Sequence, residues 1–127
     1  MKTTINIKQA PQAIGPYSQA VIVDKFIFFS GQLPINPISG KIESTTIEEQ
    51  TKQIMQNIKS ILESQNLGFS NLVKTTVFLT DLTEFKKFND VYASFFSDAF
   101  PARSTVQVSA LPLSSKIEIE GIATIEL

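Results

Sequence analysis

Leu72-Val73-Lys74-Thr75-Thr76-Val77-Phe78-Leu79-Thr80 is rich in the β-branched and aromatic residues that suit a pleated strand, and it lies between two stretches of helical periodicity. Upstream, Thr46 stands as an N-cap with Glu49 three residues on, and Ile47, Ile54, Ile58 and Ile61 share one face. This predicts an amphipathic helix from Thr46 to about Gln65, closed by Asn66 or Gly68. Downstream, Asp81 or Thr83 begins a second helix with Leu82, Phe85, Phe88, Tyr92 and Phe95 on a face, and Phe100-Pro101 ends it. Further out, Thr3 to Ile7 reads as a first strand, and Ala20 to Val23 and Phe26 to Ser30 as a hairpin turning at Asp24-Lys25. Gly31 to Gly40 reads as a long loop, and Ser104 to Ser109 and Lys116 to about Glu126 as two final strands. Three strands, a helix, a strand, a helix and two strands make an α+β fold: a six-stranded mixed sheet with both helices on one face. Because Phe26 to Phe29 and Leu72 to Leu79 are apolar on both alternating sides, the other face needs a cover. Either a second copy of the chain provides it, or the long loop or N-terminal strand folds over it.

Composition narrows the chemistry. The 127 residues, 43% hydrophobic, fit one domain over 1–127. Eleven Lys plus Arg against 12 Asp plus Glu leave a net charge of −1, with no strong field for nucleic acid or anionic lipid. The absence of Cys, His and Trp excludes disulfides, catalytic thiols, Ser-His-Asp triads and His/Cys metal sites. The acids lack the Asp-rich spacing of a Ca²⁺ loop, so neither metal nor cofactor is expected. With no run of ~20 apolar residues and no apolar signal core in Met1 to Ala20, no membrane association is expected and the expected compartment is the cytoplasm.

Chemistry must therefore come from carboxylates, Lys, Arg, Tyr or the backbone. Arg103 is the only arginine among eleven basic residues. Its planar fork can grip a carboxylate through two parallel hydrogen bonds, which an ammonium cannot imitate; the alternatives are a surface role or an ion pair with Glu118 or Glu120. In Ile117-Glu118-Ile119-Glu120-Gly121 the two glutamates share a strand face, as on any half-solvated strand, or one of them faces a cleft and handles a water. Gly121 would permit close backbone approach. Ile14-Gly15-Pro16-Tyr17-Ser18 is a turn projecting a phenol, Ser30-Gly31-Gln32 is a strand exit where backbone could meet a ligand, and Lys86-Lys87 reads as a solvated helix face.

Taken together and in order, Gly15-Pro16-Tyr17-Ser18-Gln19-Ala20, Ser30-Gly31-Gln32-Leu33-Pro34, Val73-Lys74-Thr75-Thr76-Val77-Phe78, Phe100-Pro101-Ala102-Arg103-Ser104 and Ile117-Glu118-Ile119-Glu120 closely resemble the RidA (YjgF) family. The resemblance implies a chorismate-mutase-like fold assembled as a homotrimer, with ligand clefts between subunits. It implies hydrolytic deamination of 2-imino and enamine acids, such as 2-aminoacrylate, 2-iminopropanoate and 2-iminobutanoate, to 2-keto acids and ammonia. Carried over by motif, Arg103 is the carboxylate clamp, Glu120 places the attacking water, and Tyr17 lines the cleft with Ser30 and Gly31; Asn89 matches a position near the site. Thr105 stands where many relatives carry Cys, so a thiol role is excluded at that position. Some relatives are binding-only regulators of 2-keto acids or amino acids, and others are described as endoribonucleases or translation inhibitors. The near-neutral charge and single Arg speak against RNA, whereas the clamp would serve a binding-only role equally well.

Overall fold

The computed structural model describes residues 1–97 and 99–126. Its strands are β1 (Thr3–Ile5), β2 (Ala20–Val23), β3 (Phe26–Gln32), β4 (Leu72–Leu79), β5 (Ala102–Gln107) and β6 (Ile117–Thr124), and its helices are α1 (Ile47–Glu63) and α2 (Phe85–Ala93). The strands form one sheet in the order β1-β2-β3-β6-β4-β5. Only β4 and β5 run parallel; α2 supplies the crossover that such a pair needs.

Alternation along the strands sends Ile27, Phe29, Val77, Leu79, Ile117, Ile119 and Ala123 into one buried core. Ile47, Ile54, Ile58 and Ile61 of α1 and Phe88 and Tyr92 of α2 complete that core, so both helices cover the same face. Burial at this density is the main stabilising term, roughly 1.5–3 kcal/mol for each large apolar side chain. Gln50 ties α1 to the sheet, because its Oε1 accepts from the Lys116 N–H at 2.9 Å while its Nε2 donates to the Ser44 carbonyl at 3.0 Å.

The helix start is as expected, with the Glu49 N–H donating to Thr46 Oγ1 at 3.2 Å. Its end comes two residues earlier than expected, with Asn66 of the two expected closing residues taking the left-handed position. α1 stops at Glu63 and Asn66 closes it with φ 61°, while Leu67 N–H reaches back to the Leu62 carbonyl at 3.0 Å; Gly68 takes no part in this closure. The second helix is shorter than its apolar spacing suggests. Asp81 caps a 3₁₀ turn over Leu82–Glu84, α2 ends at Ala93, and Leu82 and Phe85 remain 41% and 38% exposed. Below Ala93, packing of Phe95 and Phe96 edge-on against Phe69 replaces helical continuation.

β3 runs on through Gly31 and Gln32, two residues assigned to the loop on composition. Phe29 pairs with Gly121 and Gln32 with Ile119, so Ser30 and Gly31 together oppose Glu120 in a bulge. At Gly121 a Cβ would strike the Phe29 ring and lie 2.8 Å from the Lys74 carbonyl oxygen, so the glycine lets that ring close over the sheet.

The face away from the helices is open in the single chain. Phe26 and Phe28 are 43% and 42% exposed, beside Val21, Val23 and Ile122. β1 is the edge strand of the sheet rather than a cover for this face. On β4 the outward residues are Lys74, Thr76 and Phe78, so the apolar patch is concentrated on β2, β3 and β6 rather than running the width of the sheet.

Candidate functional site

The open face carries a cavity of about 560 Å³ lined by Ile14, Tyr17, Ser30, Gly31, Leu33, Pro112, Leu113, Glu118 and Glu120. Glu118 and Glu120 face it because they alternate on β6 with the buried Ile117, Ile119 and Gly121. The bulge presents Ser30 and Gly31 to the same space. Tyr17 arrives on a loop pinned by Gln19, whose Oε1 accepts from the Ile7 N–H at 2.7 Å and whose Nε2 donates to the Pro11 carbonyl at 2.8 Å. Ser30 Oγ donates to the Ser18 carbonyl at 2.6 Å, so it offers a ligand lone pairs rather than a proton.

Gly31 has a specific reason to lack a side chain. A Cβ there would overlap Glu118 Oε2 and lie 2.8 Å from Cδ, so the Glu118 carboxylate lies directly against the Gly31 backbone. Burial and the neighbouring Glu120 charge both push the Glu118 carboxyl above its ordinary titration range. Neither glutamate has a hydrogen-bond or ion-pair partner among the described residues.

Arg103 is elsewhere. It pairs with Thr75, whose side chain faces α2 and shares a 2.7 Å hydrogen bond with the Tyr92 hydroxyl. The guanidinium lies over Phe88 and Tyr92, with Cζ 5.1 and 5.0 Å from their centroids and 5.5 Å from that of Phe85. It opens into a second cavity, of about 360 Å³, lined by Asn89, Tyr92, Ala93, Phe100, Pro101 and Arg103. Thr105 follows on the same face, and Asn89 Oδ1 and Thr105 Oγ1 are enclosed polar atoms without a partner.

Of the residues singled out by sequence, Tyr17, Ser30, Gly31 and Glu120 therefore meet in one cavity, and Arg103 and Asn89 in another, with Thr105 on the face of the second. One chain does not unite them: Glu120 sits opposite Thr76 and Arg103 opposite Thr75, on opposite sheet faces with β4 between their strands. The ion pair of Arg103 with Glu118 or Glu120 is thus not made within the chain. Sequence reasoning missed Leu113, which reaches the cavity rim only because the backbone adopts φ 58° there and 55° at Ser114, a conformation no Leu advertises. It also missed the aromatic shelf under Arg103, although Phe88 and Tyr92 at i and i+4 were the available signal. Among the described residues no cluster of three metal-ligating acids occurs, and no helix is long and apolar enough to cross a membrane.

Known proteins sharing these features are close. A family model described as Endoribonuclease L-PSP matches residues 7–125. The chain is 46% identical over 123 residues to the human 2-iminobutanoate/2-iminopropanoate deaminase, covering 97% of this chain and 90% of the human one. It is 47% identical over 124 residues to the chloroplastic Reactive Intermediate Deaminase A of Arabidopsis thaliana, covering 98% of this chain and 66% of that protein. The crystal structure of the YjgF gene product from E. coli matches with a TM-score of 0.92 at 44% identity, over 96% of this chain and 98% of that one. The ordered motifs, the sheet topology and these likenesses agree, and the chain belongs to the Endoribonuclease L-PSP family, also known as RidA/YjgF.

Proposed function

We propose that this protein hydrolyses reactive 2-imino acids and their enamine tautomers to 2-keto acids and ammonia, in the cytoplasm and without a cofactor, as a single-domain homotrimer whose sites form between subunits. The deaminase names of relatives 46% and 47% identical over nearly the whole chain support the reaction. The separation of Arg103 from Glu120 supports the assembly: each lines a cavity that lacks the other's chemistry, and the exposed Phe26, Phe28 and Val23 give a second copy apolar surface to cover.

In this reading Arg103 of one subunit holds the substrate carboxylate while the neighbour's Glu120 orients a water beneath the imine carbon. The water oxygen bonds to that carbon as the C=N electron pair moves onto nitrogen, and Glu120 takes a proton from the water. The nitrogen regains a proton and leaves as ammonia when the C–N bond breaks; the hydroxyl becomes the keto oxygen as it gives up its proton. Iminium plus water thus becomes keto acid plus ammonium. Such imines react with water unaided, so a clamp and one carboxylate suffice where an amide would demand an oxyanion hole.

A trapping assay tests the proposal. With 2-iminobutanoate made in situ by an amino-acid oxidase and intercepted by semicarbazide, the wild-type protein is expected to compete with the trap and suppress semicarbazone formation. Binding of 2-ketobutyrate with no effect on trapping would replace the enzyme by a binding-only regulator.

A further inference from the structure

The cavity around Glu120 has two characters, and the reaction as written uses only the polar one. Ile14, Leu33, Pro112 and Leu113 give it an aliphatic wall. Ile14 and Leu113 are 79% and 59% exposed, so they add little to the protein's own core. Nor does the wall continue the patch at Phe26 and Phe28, which pair with Thr124 and Ile122 at the far end of β6 from residues 112–118. Leu113 is placed at a cost. Its φ of 58° and ψ of 27°, followed by φ 55° at Ser114, lie in the left-handed region that residues with side chains avoid. The turn is held from below: the buried Ser115 donates its N–H to the Pro112 carbonyl at 3.2 Å, and the next N–H, of Lys116, donates to Gln50 Oε1 of α1 at 2.9 Å. Those bonds fix the backbone but ask for no isobutyl group at its tip, where Gly or Asn would take the same conformation more easily.

Resting on the deaminase reading, we propose that Leu113 is a specificity-determining residue: with Ile14 and Leu33 it contacts the substrate's alkyl group and favours imino acids with a longer or branched aliphatic chain over 2-iminopropanoate. The polar ends of the substrate are already assigned. With its carboxylate on a neighbour's Arg103 and its imine carbon at the water beside Glu120, the alkyl group is what remains to meet the aliphatic wall. At about 560 Å³ the cavity is in the size range that encloses whole small-molecule ligands, and a single methyl leaves most of it empty. Each further methylene laid against Leu113 removes apolar surface of both partners from water, and that contact discriminates between substrates through kcat/KM. A side chain too short to reach the wall gains nothing from it.

The experiment uses the same trapping assay with the imines that an amino-acid oxidase makes from leucine and from alanine, and it reads the ratio of the two kcat/KM values. The wild-type protein is expected to favour the leucine-derived 2-imino-4-methylpentanoate. Leu113→Gly accepts φ 58° freely and so keeps the turn; it should lower the ratio about tenfold, the scale of a lost methylene contact. Leu113→Met keeps an apolar side chain of similar size and should retain the preference. A wild-type preference for 2-iminopropanoate overturns the inference, as does a ratio lowered equally in Leu113→Met. A ratio unchanged in Leu113→Gly overturns it too, and a parallel loss on both imines would assign Leu113 to contact with a second copy of the chain. Failure of the wild-type protein to compete for either imine would instead overturn the deaminase reading, so the two failures are separately visible.

Discussion

On the helix face of the sheet the centre is a closed apolar core, and the one charged strand residue there among the described residues, Arg103, lies over aromatic rings. On the open face the exposed Phe26 and Phe28 stand beside two carboxylates without ion-pair partners among the described residues. The contrast assigns different work to the two sides. A guanidinium held against Phe88 and Tyr92 loses side-chain freedom before any ligand arrives, and it has no carboxylate partner among the described residues, as the clamp proposed above requires. The glutamates face solvent-accessible space whose shape depends on a turn, a bulge and a missing side chain at Gly31, features of loops rather than of the core.

The largest effects should come from joining the two faces. Glu120→Gln removes the proposed proton acceptor and is expected to lower kcat/KM by about 10²-fold or more. Arg103→Lys keeps the charge and loses the fork, at about 1.5–3 kcal/mol of transition-state stabilisation, with the fold intact. Refolding the two inactive variants together should restore a measurable fraction of turnover, because an interface between them can combine an intact Glu120 from one chain with an intact Arg103 from the other. Mixed assemblies no more active than the separate variants would show that the two half-sites do not meet between subunits.

A second pair of substitutions separates the two glycines. Gly121→Ala drives a methyl into the Phe29 ring on the helix side and should cost about 1–3 kcal/mol of stability by chemical denaturation, as overpacking does elsewhere. Gly31→Ala meets the end of a flexible side chain, so Glu118 can swing away and stability should change less than for Gly121→Ala. Equal stability losses at both positions would mean that the Glu118 carboxylate is as fixed as the core.

How much of this was legible in the sequence follows the same division. The core side was readable because period and capping are local: Thr46, the Ile repeat of α1 and the Val/Thr strand after it fold as their spacing says. The end of α1 was legible to within two residues, Asn66 closing it, but that of α2 was not, because tertiary packing of Phe95 and Phe96 on Phe69 stops it early. On the site, motif resemblance named Arg103 and Glu120, but their placement on opposite faces depends on register across β6, β4 and β5, which no single segment encodes. Glu118 looked like the solvated side of an ordinary strand; only the bulge at Ser30-Gly31 turns it into a lining residue.

The smallest expected effect probes whether the helix face contributes more than support. Tyr92 offers its ring to Arg103 and its hydroxyl to Thr75, and both residues are buried. Tyr92→Phe keeps the ring, so Arg103 retains its shelf, but leaves Thr75 Oγ1 without its partner; the expected loss is about 0.5–1.5 kcal/mol of stability with KM unchanged. Adding Thr75→Val removes the stranded hydroxyl as well, and because apolar replacement of both partners leaves nothing unsatisfied, the double variant should be more stable than the two single losses summed. Measured as a double-mutant cycle, this isolates the hydrogen bond from the ring. A rise in KM confined to Tyr92→Phe would show that the hydroxyl, and not only the ring beneath the guanidinium, helps to set the direction of the Arg103 fork, extending the binding machinery into the core itself.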